Sequence, residues 1–169
     1  YGYYKVNSLN INTQNQWSNL GSPSDAAGYQ GCTVPVDNHS YKIRRQGFPC
    51  GIYNIAIMHD DNYVLTINGT QVGTGTCCTN TLTNVATGVW LNGSSTIELT
   101  IEEGGGNSFG VLDFTKTGDL TITSSSAAMN CSDAARTLTA NLAGGTFSGP
   151  GVSGASFNPA SAGLGTHTI

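Results

Sequence analysis

Apolar residues recur at every second position over several short runs of the chain, and no stretch carries a sustained helical period. In "GIYNIAIM", residues 51–58, Tyr53, Ile55 and Ile57 share one face. In "YVLTI" Tyr63, Leu65 and Ile67 do the same, and the Asn68-Gly69 pair that follows is a strong hairpin-turn signal. "STIELTIEE", residues 95–103, sets Ile97, Leu99 and Ile101 against Glu98, Thr100 and Glu102, and after a "GGGNS" loop "FGVLDF" supplies a further strand. Period two means one buried and one wet face per strand, and short strands at this spacing predict a two-sheet sandwich. "TITSSSAAMN", residues 121–130, reads as a last strand running into a Ser/Ala linker, so the domain boundary is expected between residues 1–124 and 125–169.

Composition narrows the class. Charged residues are 9% of the 169, against roughly 25% in an average soluble domain, and the 23 glycines are about twice the usual share. Polarity carried by Thr, Asn and Ser in an all-β chain points to a secreted, extracellular setting. A formal charge of −4 with only six Lys and Arg argues against nucleic acid or an anionic membrane as partner. No run of 18 apolar residues is present, which excludes a helical membrane insertion. No signal-peptide pattern is seen in the sequence, and Tyr1 is expected to be a processed or otherwise defined start.

The five cysteines, Cys32, Cys50, Cys77, Cys78 and Cys131, lack zinc-site spacing and have no histidine nearby in sequence, so they are expected to be oxidised. One of the three pairings of the first four joins the neighbours Cys77 and Cys78. Their Cα atoms are about 3.8 Å apart across a trans peptide, so that bond needs a distorted backbone. The other two pairings join Cys77 and Cys78 to Cys32 and Cys50, and geometry favours them. Cys131 is left over and calls for a partner elsewhere.

Asp60 and Asp61 stand side by side between two alternating runs, in a chain with few charges. On the residues alone they either cap a solvated hairpin end or ligate a hard cation. Calcium takes six to eight oxygens, of which two carboxylates, an amide and backbone carbonyls supply most. Neighbouring side chains in a regular strand point to opposite faces, so sharing one ion requires a break in the strand there. His39, His59 and His167 have no nucleophile in a recognisable setting and read as structural or solvated. Glu102 and Glu103 are sequence neighbours and do not form the facing pair that a glycosidase needs. No enzymatic activity is expected. Arg44 and Arg45 in "YKIRRQG" form the basic cluster expected on an exposed or edge strand.

"GIYNIAIMHDDNYVLTINGTQV" and "LNGSSTIELTIEEGGGNSFGVLDF", within residues 47–115, resemble the anthrax protective-antigen lectin-like domain family, a β-sandwich of toxins, glycosidases and adhesins. The resemblance implies sugar binding through calcium, held by an Asp pair joined by a cis peptide and by an Asn of the later loop, here Asp60, Asp61 and Asn107. Glu103 is expected to add charge to that site. Asn62 and Ser108 flank it, and Trp90 and Tyr63 are candidate stacking or core residues. The candidate ligand-binding set is therefore Asn62, Glu103, Ser108 and Trp90.

The tail, "LAGGTFSGPGVSGASFNPASAGLGTHTI", resembles the immunoglobulin-like repeats of giant secreted adhesins of gliding and related bacteria. "ARTLTANL" offers one alternating strand, with Leu138, Ala140 and Leu142 on one face. About 45 residues cannot close a sandwich of roughly 100, so an incomplete repeat is expected, its apolar face covered by further chain or by a neighbouring copy. The fold expected is thus all-β: a lectin-like β-sandwich followed by a partial immunoglobulin-like one. The function expected is that of a cell-surface adhesin segment binding a glycan with calcium. The rival is a filament or stalk subunit assembled by strand addition between copies, without sugar binding.

Overall fold

The computed structural model describes residues 1–124, 126–143 and 145–169. It divides into two compact units, Tyr1–Gly118 and Asp119–Ile169. In the first, strands run in the order β1 (Gly2–Tyr3), β2 (Ile11–Asn12), β3 (Gln30–Gly31), β4 (His39–Arg45), β5 (Gly51–Asp60), β6 (Asn62–Ile67), β7 (Thr70–Gly75), β8 (Thr79–Leu91), β9 (Ile97–Glu103) and β10 (Phe109–Gly118). Two four-stranded antiparallel sheets, β2-β10-β5-β8 and β4-β9-β6-β7, form a β-sandwich, as the alternating pattern predicts.

The core is the sum of the inner faces. Tyr53, Ile55 and Ile57 of β5 and Leu112 and Phe114 of β10 meet Leu65 of β6 and Ile97, Leu99 and Ile101 of β9 in one buried cluster. Their neighbours in sequence, such as Asn54, Glu98 and Thr100, are partly or fully exposed, which is the period-two signature made physical. Asn68 and Gly69 both have positive φ, 50° and 81°, and close the β6–β7 hairpin in the way an Asn-Gly turn allows.

One connection differs from the sequence reading. Asp60 and Asp61 are not the tip of a hairpin, because β5 and β6 belong to different sheets. Asp60 ends β5, Asn62 begins β6, and Asp61 alone carries the chain across. The β9–β10 loop makes a second crossing between the same two sheets, from Glu103 to Phe109.

The second unit is also β-structured, with β11 (Arg136–Thr137), β12 (Val152–Ser153) and β13 (Ser156–Phe157) in the order β11-β13-β12, followed by the single turn α1 (Pro159–Ala162). It begins at residue 119 rather than 125 because Ile122 bridges to Ala140 and the Thr123 N–H donates to the Thr139 carbonyl at 2.7 Å. The "TIT" segment is therefore tied to the tail instead of closing the sandwich. The expected boundary falls at Ser125, which lies outside the described residues, as does Gly144 of the "LAGGTF" connector. Among the described residues no helix is long and apolar enough to cross a membrane.

The cysteines depart from expectation as well. All five are free and exposed. Cys50 precedes Gly51, which pairs with Leu91 at one end of β5, whereas Cys78 precedes Thr79, which pairs with His59 at the other. Ten strand residues separate those ends, about 30 Å at roughly 3.3 Å per residue, and a disulfide spans a Cα separation of only about 4.4–6.8 Å. Cys50 thus cannot bond Cys77 or Cys78 in this fold. Peptide mapping under non-reducing conditions should recover no peptide linking Cys50 to Cys77 or Cys78; recovery of that link from folded protein would contradict the strand arrangement.

Candidate functional site

The two sheet crossings lie at the same end of the sandwich, and each delivers carboxylates there. Asp60 comes from the last position of β5, Glu103 from the last position of β9, and Asp61 from the link between sheets. One carboxylate oxygen of each lies within 4.8 Å of those of the other two. The Asp60–Asp61 peptide is cis. His39 pairs with Glu103 across β4 and β9, and Phe109 pairs with Asp60 across β10 and β5, so both sheets support the cluster directly.

Hydrogen bonds hold its outline. The Gly104 N–H donates to Asp61 Oδ2 at 2.8 Å, which draws the loop of residues 104–107 over the pair. His59, itself buried, donates from Nδ1 to the Asp61 carbonyl at 2.6 Å and tilts against Tyr63 with ring centres 4.4 Å apart. A carbonyl only accepts, so the His59 proton sits on Nδ1. Further along the loop, the Gly106 N–H donates to Asp37 Oδ1 at 3.2 Å.

Glu103 is the most telling member. It is 4% exposed, and neither carboxylate oxygen has a hydrogen-bond partner. The Gly105 N–H lies close enough to favour the charged form slightly without making a bond of acceptable geometry. Burial, and next the negative charge of Asp61, push the Glu103 carboxyl up to about 7. Asp60 is shifted upward too, first by burial and then by the hydrogen bond and charge of Asp61. A buried carboxyl without partners is costly to ionise unless a proton or a cation is taken up.

Beside the carboxylates, Cys77 and Cys78 bring their sulfurs within 4.8 Å of an Asp61 oxygen and of each other. Cys77 has φ of 58°, and its N–H donates to Asn62 Oδ1 at 3.1 Å. The Cys78 thiol is pushed up to about 11, mainly by its hydrogen bond with Cys77, and so remains protonated at neutral pH.

The predicted site residues divide accordingly. Asp60, Asp61 and Glu103 converge. Asn107 is exposed on the same loop. Asn62 adjoins the pair, but its amide oxygen is engaged in placing the Cys77–Cys78 turn. Ser108 is not open to a ligand. It is fully buried, its N–H donates to the Asn19 carbonyl, its carbonyl accepts from Trp17 Nε1, and its hydroxyl meets His39 Nε2, all of which anchor the foot of the loop. Trp90 is excluded by position: it pairs with Ile52, eight residues up β5 from Asp60, about 26 Å away at roughly 3.3 Å per residue. Tyr63 belongs to the core. Asp37 is the residue that sequence reasoning missed, since nothing in "PVDNHS" signals that it reaches a loop almost 70 positions later.

No family model matches the chain, and no curated protein matches it. A solved structure that does match is the crystal structure of the PA14 domain of the MpAFP antifreeze protein. It is 28% identical over 52% of this chain and 48% of that one, with a TM-score of 0.31. The chain thus spans about half the length of the solved chain it matches, and the fold and site described above rest on its own geometry.

The state of Glu103 has a consequence for stability. Its carboxyl binds a proton more tightly in the folded chain, near pH 7, than at its ordinary value of 4.5. The folded form therefore holds more protons across that interval, and its contribution, complete below 4.5, is lost as pH rises to about 7. With a chelator present, the denaturant midpoint of the sandwich should fall over that range, and Glu103→Gln should flatten the fall. An unchanged slope in the variant would contradict the assignment.

Proposed function

We propose that the sandwich is a calcium-dependent carbohydrate-binding domain of a surface adhesin. In this reading Asp60, Asp61 and Glu103 hold the cation, and Asn107, exposed on the neighbouring loop, is a further ligand. The single observation that carries it is the buried Glu103, whose two oxygens lack partners beside two more carboxylates. A hard divalent cation answers that charge, and three carboxylates with an amide oxygen match the donor set calcium takes, with positions to spare for sugar hydroxyls. Calcium, when bound, supplies the positive charge on which a vicinal diol is oriented. The chain's own part is to gather the carboxylates: His59 fixes the Asp61 backbone, and Gly104 fixes its side chain. The smaller unit is read as a stalk or spacer, in keeping with the resemblance of residues 125–169 to adhesin repeats.

Calorimetry on the whole chain tests this. One calcium site is expected, with affinity reduced by at least about tenfold in Asp61→Asn and in Glu103→Gln, because each removes a charged oxygen ligand. On a glycan array, binding should appear with calcium and vanish with chelator. Equal calcium affinity in wild type and both variants, or glycan binding indifferent to chelator, would overturn the proposal.

A further inference from the structure

A second feature of the sandwich lies away from the carboxylates. A cavity of about 640 Å³ opens between the N-terminal segment and β4. Four of the six cations of the chain, Lys5, Lys42, Arg44 and Arg45, line it, and no described carboxylate does. Five of the seven tyrosines, Tyr1, Tyr3, Tyr4, Tyr29 and Tyr41, line it too. A chain of net charge −4 has thus concentrated most of its positive charge on one aromatic groove.

The groove borders a free sheet edge. Among the described residues β4 pairs with β9 alone, on one side. Residues 40–45 all line the cavity. Side chains alternate faces along a strand, so six consecutive residues line one space only where the strand's edge faces it. The far wall is fixed by Arg45, which donates from Nη1 and Nη2 to the Val6 and Asn7 carbonyls at 3.4 Å each. Lys42 and Arg44 stand two residues apart on the same face, with side chains 57% and 61% exposed, and their ion pairs with Glu98 are long, 3.5 and 3.9 Å. Exposed pairs of that kind are weak and readily exchanged for another carboxylate.

We infer that the β4 edge is a docking site for an extended acidic peptide, which adds a strand to the β4-β9-β6-β7 sheet. Backbone N–H and C=O groups on the open edge supply the ladder. Residues two apart on the added strand are spaced like Lys42 and Arg44, so acidic side chains at alternate positions sit opposite the two cations, where unlike charges stabilise cross-strand pairs. The same cations repel a basic strand, including another copy of β4, which discourages pairing of the open edge with a second copy. The tyrosine rings along the groove give broad contact area with few rotors to fix.

The test uses the whole chain, isotopically labelled, with a peptide of alternating glutamate and threonine as probe and alternating lysine and threonine as control, in the presence of chelator so that the calcium proposal is not engaged. The acidic peptide should bind saturably, weaken as salt is raised, and slow amide exchange within residues 40–45, while the basic one does not bind. The exposed double variant Lys42→Glu with Arg44→Glu should keep the wild-type spectrum elsewhere and lose at least about tenfold in affinity for the acidic peptide. No saturable binding, binding without slowed exchange in residues 40–45, or unchanged affinity in the double variant would overturn the inference. Binding of polygalacturonate in place of the peptide would likewise overturn it, in favour of an anionic-glycan groove.

Discussion

Like charge gathered at the one end where both sheets hand over the chain is the constraint on which the rest of this structure turns. Three carboxylate oxygens within 4.8 Å of one another repel, by on the order of 3 kcal/mol per ionised pair at an effective dielectric constant near 20. No lysine or arginine lies among the partners of Asp60, Asp61 and Glu103 in the described residues. The fold nevertheless puts them there from the ends of β5 and β9, strands whose inward-facing Ile57 and Ile101 are buried in the core. Burial and the neighbouring charge push the Glu103 carboxyl up to about 7, so a proton there relieves part of the repulsion. In the proposed function a bound cation relieves the rest.

Most of the sandwich is legible because its strands follow one rule. Ile55 and Ile57, Ile97, Leu99 and Ile101 announce both strand and face, and Asn68-Gly69 announces its own turn. The route of the chain between sheets is another matter. Two alternating runs separated by a couple of polar residues read equally as a hairpin and as a crossing, and only the partner strands, β8 and β10 for β5 and β7 and β9 for β6, decide between them. That ambiguity is why the Asp pair stands out in the sequence while its place in the fold, at a crossing between sheets, does not.

The remaining differences share a cause. Trp90 and Ser108 are sequence features whose meaning depends on register: one residue lies about eight strand positions from the carboxylates, and the other turns inward to hold the loop they share. Asp37 joins the site only because β4 pairs with β9 and carries its approach loop alongside. The favoured disulfides fail for the same reason, since the length of β5 sets the distance between Cys50 and Cys78. Long-range register, invisible in local patterns, decides all of them.

Charge in the sandwich is segregated along a single strand. β4 starts at His39, opposite Glu103 of the acidic cluster, and ends in Lys42, Arg44 and Arg45 of the basic groove. The cation of the proposed function and the acidic peptide of the further inference would thus meet opposite charge at opposite ends of one strand. The central claim, that the acidic end holds a divalent cation, is tested most directly by crystals grown with calcium or terbium and measured for anomalous scattering. The account predicts one anomalous peak within about 2.3–2.6 Å of oxygens from Asp60, Asp61 and Glu103. A saturated crystal with no peak there, or with the metal bound elsewhere on the sandwich, would contradict it.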